Sequence, residues 1–458
     1  MRESRSSVGL EVEVETRAAP LEVADEDPFH IALLGDFRGS VDRAALDLDA
    51  RTGVLVDRDN FDDVLAKFAP RLRFPGALAD FVPRPAIGGE AEISFSSLED
   101  FHPDRLYERL TLFEFFRNGP RDEPPRELRR LSGSGLLERM LEDGGGEILH
   151  GRSGQQPARA DAGEPMRALM HSAEFQALEA AWRAVFFLVR RLECGPALKL
   201  YLFDISKQEL AADINQADNL RDTSFFRKFG TKAAGESGWS LLAGNYTFDN
   251  SREDVELLAR IALLAARAGV PFLAGADPAL AECEPVAGLS QLPRRRQRDD
   301  DAAQWWQTLR EMQEAPYVGL ALPRFLLRLP YGKDTAHTES FAFEEMPGAR
   351  AHEDYLWGNP AVACACLLGQ TFQEYGWEMR PGLIRELTGL PLHAYAEGDE
   401  WTAKPCSEVQ LSDEAYEAIL QEGLTPLVWM KGADRILVPR LQSVSDPAYT
   451  LAGPWDRH

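Results

Sequence analysis

The chain has 458 residues, 44% of them apolar, and 74 acidic against 50 basic side chains give it a formal charge of -24. That length favours two or three packed units, and the apolar share excludes a wholly disordered chain. The negative charge argues against nucleic acid or an anionic membrane as the main partner, because both would repel it.

The N-terminal stretch MRESRSSVGLEVEVE lacks the apolar segment of about 7–15 residues that a secretion signal needs. No apolar run reaches the roughly 20 residues that span a bilayer. A cytoplasmic protein is expected. Within residues 8–16, Val8, Leu10, Val12 and Val14 alternate onto one face, the pattern of a half-buried strand. Such a lone terminal strand either folds back onto its own sheet or adds to a neighbour's sheet edge.

A first α/β unit is expected over residues 28–117. PFHIALLGDF (28–37) reads as an apolar strand. NFDDVLAKFAP (60–70) reads as a short helix with Asp59 and Asn60 supplying N-cap chemistry and Pro70 closing it. A strand at 91–97 and a helix at 103–117 complete the unit. Residues 118–165, rich in Gly, Pro, Ser and charge, read as a flexible linker, which leaves 1–27 as an N-terminal arm.

From residue 166 the pattern becomes compact again. A long amphipathic helix is expected over 166–193, then a strand at 197–206 and a helix at KQELAADINQA. A strand at 238–248, a helix at 251–269 capped by Ser251 and a strand at 270–277 follow. Strands and helices alternating at these lengths predict an α/β fold: a small N-terminal α/β unit joined to a larger layered α/β domain with a partly parallel sheet. PRRRQRDDD (293–301) reads as a surface loop.

Little of the sequence points to chemistry. Asp204 and Asp277 fall near strand ends, where open α/β sheets often bind ligands, but an aspartate there more commonly caps the following turn. GDFRGS lacks the spacing of a phosphate loop, and the eight histidines form no HxxxH or HExxH pair. The cysteines Cys194, Cys283, Cys364, Cys366 and Cys406 are odd in number and follow no disulfide framework. They read as reduced thiols, with Cys364 and Cys366 as small core residues. No cofactor, no metal and no catalytic residue is expected. An enzyme on an α/β scaffold, with Asp204 or Asp277 in a cleft, is the alternative. The run YVGLALPRFLLRLPYG (317–332) carries Arg324 and Arg328 in an apolar context, where arginines need carboxylate partners. The pair Glu344 and Glu345 in FAFEEMPG is the candidate, as a structural ion pair rather than an anion-binding site.

YVGLALPRFLLRLPYG, FAFEEM and YLWGNPA resemble the signature of the large sheath subunit of type VI secretion systems. FQALEAAWRAVFFLV, DISKQELAADI, FQEYGWEMR and KGADRILVP match it in the same order, over residues 166–440. PFHIALLGDFRGS, VLVDRDNFDDVLAKFAP and SFSSLEDFHPDRLYERL, within 28–117, resemble the small sheath subunit. The resemblance implies a contractile sheath built of stacked protomers around an inner tube, with no catalytic site of its own. The partners it implies are other sheath subunits or a second copy, the inner tube, the baseplate and a recycling unfoldase. In the family the two subunits are normally separate chains; here one chain carries both. Large subunits usually continue well past the KGADRILVP block, whereas here 441–458 is read as a short tail. A sheath subunit, cap, adaptor or regulator all remain open at this point.

Overall fold

Every residue of β1, Phe29–Gly35, is buried, as befits a strand covered on both faces. Its partners come from beyond the linker. On one edge β1 pairs in parallel with β5 (Leu198–Asp204), from Phe29 opposite Leu198 to Gly35 opposite Asp204. On the other it pairs in parallel with β6 (Leu241–Phe248), Ile31 opposite Leu241. The sheet continues through β7 (Phe272–Ala276) and β8 (Val318–Leu322) to β14 (Thr425–Pro426), all parallel. At the opposite edge β2 (Val54–Val56) lies antiparallel to β5. These relations come from a computed structural model describing residues 27–39, 48–73, 92–118, 162–230, 238–283, 285–291, 301–348, 351–397 and 400–457. The strand read at 8–16, most of the linker and most of the loop at 293–301 lie outside the described residues.

Alternation along β1 assigns the two layers. Ile31 and Leu33 join the core that contains the helices Ala173–Arg191 and Pro360–Tyr375. Ala32 and Leu34 face the opposite core, with the helices Lys207–Asn215 and Arg252–Ala268. The fold is α/β. Segments 28–117 and 166–440, separate along the chain, share one sheet in space. Residues 441–457, read as a tail, pack into the body. Leu441, Val444, Leu451 and Trp455 are buried, and Val444 N–H donates to the Val318 carbonyl.

Several elements differ in detail from the sequence reading. The helix expected over 166–193 is two, Gly163–Met170 and Ala173–Arg191, because Ser172 is extended and its hydroxyl donates to the Leu169 carbonyl at 2.7 Å. The helix expected over 103–117 stops at Arg109, where Leu110 is extended, and resumes as short turns. Asn60 does not cap its helix through its side chain. Its Oδ1 accepts from Asp57 N–H while Asp57 Oδ1 accepts from Asn60 N–H, both at 2.9 Å, so the pair closes the turn before Phe61. Ser251 does cap, accepting from Asp254 N–H.

Four smaller sheets accompany the main one among the described residues, one of them three-stranded and antiparallel in the order β11 (Glu386–Leu387), β16 (Ile436–Leu437), β15 (Val428–Trp429). β3 (Arg71–Arg73) pairs with β4 (Glu92–Ser94), and β9 (Phe325–Leu326) with β10 (Trp357–Gly358). β12 (His393–Glu397) and β13 (Glu400–Lys404) form an antiparallel hairpin. Because β1 is central, weakening it should weaken the whole sheet. Ile31→Ala, fully buried, is expected to cost about 2–5 kcal/mol. In urea, far-UV circular dichroism and tryptophan fluorescence should shift together, whereas an independently folded N-terminal unit would give two transitions.

Candidate functional site

The helix Ala173–Arg191 sets an acid in its buried stripe: Phe175, Leu178, Glu179 and Trp182 are all buried, and Glu179 has no exposure. A carboxylate there requires a cation, and Arg328 provides it. Arg328 Nε and Nη2 reach the two Glu179 oxygens at 2.8 and 3.2 Å. Nη1 and Nη2 reach the two Glu345 oxygens at 2.7 and 2.9 Å. One guanidinium thus forks onto two carboxylates, the bidentate geometry that makes arginine suited to such sites. Arg183, one turn along the helix, adds a second cation, its Nε 2.7 Å from Glu179 Oε1. The four charges balance.

Further contacts fix the cluster. Tyr331 N–H donates to Glu345 at 2.7 Å, and the Arg328 guanidinium lies 4.5 Å from the Tyr331 ring centre. His171 bridges outward, with Nδ1 3.2 Å from Asp354 and Nε2 3.6 Å from Glu345. Burial alone would raise the Glu345 carboxyl, but Arg328, His171 and the Tyr331 N–H together hold it down at about 2. Burial would lower Arg328, yet Glu179 and Glu345 raise it well above its ordinary value.

The other members of the expected set go elsewhere. Arg324 pairs with Glu408, its backbone N–H on Oε2 at 3.0 Å and its Nε on Oε1 at 2.8 Å. The chain from Arg324 to Arg328 is largely extended, so four residues carry it about 13 Å, and the two arginines reach different acids. Glu344 and Glu345 likewise take different partners. Glu344 accepts the Lys333 N–H at 3.0 Å and packs so closely on Gly332 that a Cβ there would sit 2.4 Å from its Oε2. Glu345 was legible in the sequence as a partner. Glu179 carries a sequence signal too, as an acid inside an apolar helical stripe. Glu408, 84 residues from Arg324, left no sequence signal.

Beside this cluster the N-terminal segment docks. Trp182, fully buried, donates from Nε1 to the Phe37 carbonyl at 2.9 Å. The rings of Phe37, Phe61 and Phe68 surround it at 5.5–6.1 Å. Phe95 and Phe101 stack at 4.0 Å and both meet Phe175 edge-on. Asp104, in the helix Pro103–Arg109, accepts the N–H groups of Glu339 and Ser340, each at 2.9 Å. Tyr107 stacks on Phe341 at 4.4 Å. The loop carrying Glu345 therefore touches both the long helix and the N-terminal segment.

Asp204 and Asp277 each do local structural work. Asp204 accepts the Phe37 N–H at 3.0 Å and faces Arg38 at 3.5 Å. Asp277 caps a short turn through the Ala279 N–H at 2.9 Å.

This interleaved architecture agrees with sequence comparison. A family described as "EvpB/VC_A0108, tail sheath N-terminal domain" matches residues 161–445, more than half of the chain. The chain belongs to this tail sheath family. A second family, described as "Type VI secretion system, VipA, VC_A0107 or Hcp2", matches residues 1–114. The type VI secretion system sheath protein TssC1 of Pseudomonas aeruginosa is 34% identical over 291 residues, 61% of this chain and 58% of the relative. The chain thus spans little more than half the length of that curated relative. The two family matches meet in space at β1 and at the aromatic packing around Trp182, and the ion cluster braces that junction.

Removing one member of the cluster should be costly. Arg328→Met strands Glu179 and Glu345 in the interior and is expected to destabilise by about 3–5 kcal/mol, read as a lower urea midpoint. The cluster also predicts acid sensitivity. The folded Glu345 carboxyl is held at about 2, below its ordinary 4.5, so its contribution is full above about pH 4.5 and is lost as pH falls towards 2. Glu345→Gln should flatten that acid limb of the stability curve.

Proposed function

We infer that this chain is a structural component of a type VI secretion contractile sheath, or a sheath-like accessory of one, acting by protein–protein assembly rather than catalysis. One observation carries the reading: β1, from the part that matches the small-subunit family, lies between β5 and β6, from the part that matches the tail sheath family. Both kinds of sheath segment therefore contribute to one sheet. Along the sequence the proposed division is an arm (1–27), a small-subunit-like segment (28–117), a linker (118–165), a large-subunit-like segment (166–440) and a C-terminal stretch (441–458). The linker holds two interleaved parts at high effective concentration, so neither has to find the other by diffusion.

The partners that fit this reading are other sheath subunits or further copies of the chain, with the inner tube, the baseplate and a recycling unfoldase as the machine's remaining contacts. The place of action is the cytoplasm; no helix among the described residues is long and apolar enough to cross a membrane. The alternating strand with Val8, Leu10, Val12 and Val14 is proposed to add to a neighbour's sheet edge, since β-strand addition supplies main-chain hydrogen bonds and alternate side-chain pockets.

Negative-stain electron microscopy of the purified chain tests self-assembly. Tubes or rings are expected, and deletion of residues 1–18 should abolish them while leaving the circular dichroism spectrum of the folded body. Persistent monomers of the full chain would overturn self-assembly and leave an accessory role on a partner sheath, to be sought by pull-down with separate sheath subunits.

A further inference from the structure

Among the described residues the main sheet ends at β2, beyond which no further strand lies. The inner side of β2 pairs with β5, Val54 opposite Leu202, Leu55 opposite Tyr201 and Val56 opposite Leu200. Antiparallel partners share a face, so Val54 and Val56 join Leu200 and Leu202 on the side of the helix Ala173–Arg191. Leu55 lies with Tyr201 on the other side and is 43% exposed. An edge strand offers main-chain N–H and C=O groups to any extended segment that reaches it. At its C-terminal end this edge opens into a cleft of about 390 Å³ lined by Leu55, Val56, Cys194, Pro196, Leu198 and Lys199.

The N-terminal arm leaves the body beside that cleft. Phe29, the first residue of β1, lies opposite Leu198, and its N–H donates to the Ala197 carbonyl at 2.8 Å. Pro196 and Leu198, the chain neighbours of Ala197, both line the cleft. Two residues before Phe29, the Asp27 carbonyl accepts the Trp377 indole N–H at 2.7 Å, which fixes where the arm begins. From β1 to β2 is two strand spacings, roughly 10 Å. Residues 17–26 separate the alternating run 8–16 from Asp27, and a chain of that length spans up to about 33 Å. The run therefore reaches its own β2 with slack. So short a tether sets an effective concentration on the order of millimolar, well above that of a neighbouring molecule in dilute solution.

The chemistry of the run suits this edge. Val8, Leu10, Val12 and Val14 would continue the apolar face of Val54 and Val56. Glu11, Glu13 and Glu15 alternate with them and would fall on the opposite face, which carries Lys199 next to Leu198 and Leu200 in β5. Asp57, the acid in the cleft lining, is engaged by the N–H groups of Asp59 and Asn60, both at 2.9 Å.

We propose that in the isolated chain residues 8–16 dock in cis as an added strand on the β2 edge, with apolar side chains of the run filling the cleft. Docked there, the arm covers an edge that would otherwise pair with another sheet, and assembly has to displace it before it can serve a neighbour. The cis contact goes beyond the assembly reading above and stands whether or not the chain forms tubes.

Hydrogen–deuterium exchange of the monomeric fraction, with and without residues 1–18, provides the test. Deletion is expected to speed exchange across residues 53–57 about tenfold, with β7 unchanged, and diluting the full chain should leave that protection constant. Leu10→Asp in the full-length chain should reproduce the effect of deletion, which covers the case in which truncation disturbs folding. Cys194 supplies an independent readout, because it is part-exposed and the other four cysteines are buried. With Val8→Cys, Leu10→Cys, Val12→Cys and Val14→Cys made in turn, copper–phenanthroline oxidation should join the new thiol to Cys194 within one molecule in at least one variant. Equal exchange with and without the arm, or protection that falls on dilution, would overturn cis docking. Disulfides formed only between molecules, or in none of the four variants, would overturn it as well.

Discussion

The backbone N–H and C=O groups of Phe29–Gly35 are sealed from water by helices on both faces, and a buried peptide group without a partner is costly. They find partners only because β5 and β6 leave a gap one strand wide between them. Everything else in the protein accommodates that constraint. Without β1, β5 and β6 would each present a bare edge in the middle of the sheet, and the apolar faces of the helices Ala173–Arg191 and Arg252–Ala268 would lose their central support.

Hydrogen bonding along one strand does not orient the rest of the N-terminal segment, and side chains supply what the ladder leaves undetermined. Trp182 is a large apolar anchor whose indole N–H also finds the Phe37 carbonyl, so the same residue packs and aligns the joint. The Arg328 cluster adds directionality: two bidentate forks hold only if the long helix and the loop bearing Glu345 keep one relative placement. Such a cluster is not an efficient source of stability, since burying charge is expensive. Its effect here is to penalise misplacement of the loop on which Asp104 and Tyr107 dock.

The body carries the hairpin β12–β13 outside its main sheet. The joint between the N-terminal segment and the rest of the body combines backbone pairing, aromatic packing and paired charge. At the base of the hairpin, His393 and Lys404 both meet Tyr355, and Ala403 packs against the main core. Segments matching both families, residues 1–114 and 161–445, contribute to the one main sheet.

By itself the sequence determined the α/β class, most of the strands and helices after residue 166, the Ser251 cap and the likeness to sheath subunits. These are local properties: apolar periodicity, capping chemistry and ordered blocks of residues, each readable within a window of neighbours. It also pointed to Arg328 and Glu345, which are 17 residues apart and share one loop. Tertiary structure alone decided that β1 belongs between strands from beyond the linker, that Arg324 turns to Glu408 and not to Glu344 or Glu345, and that Lys404 rests beside His352. Strand order and ion pairing across long separations depend on where the whole chain places its elements, and extended chain carries neighbouring side chains to opposite faces. No window of residues contains that information.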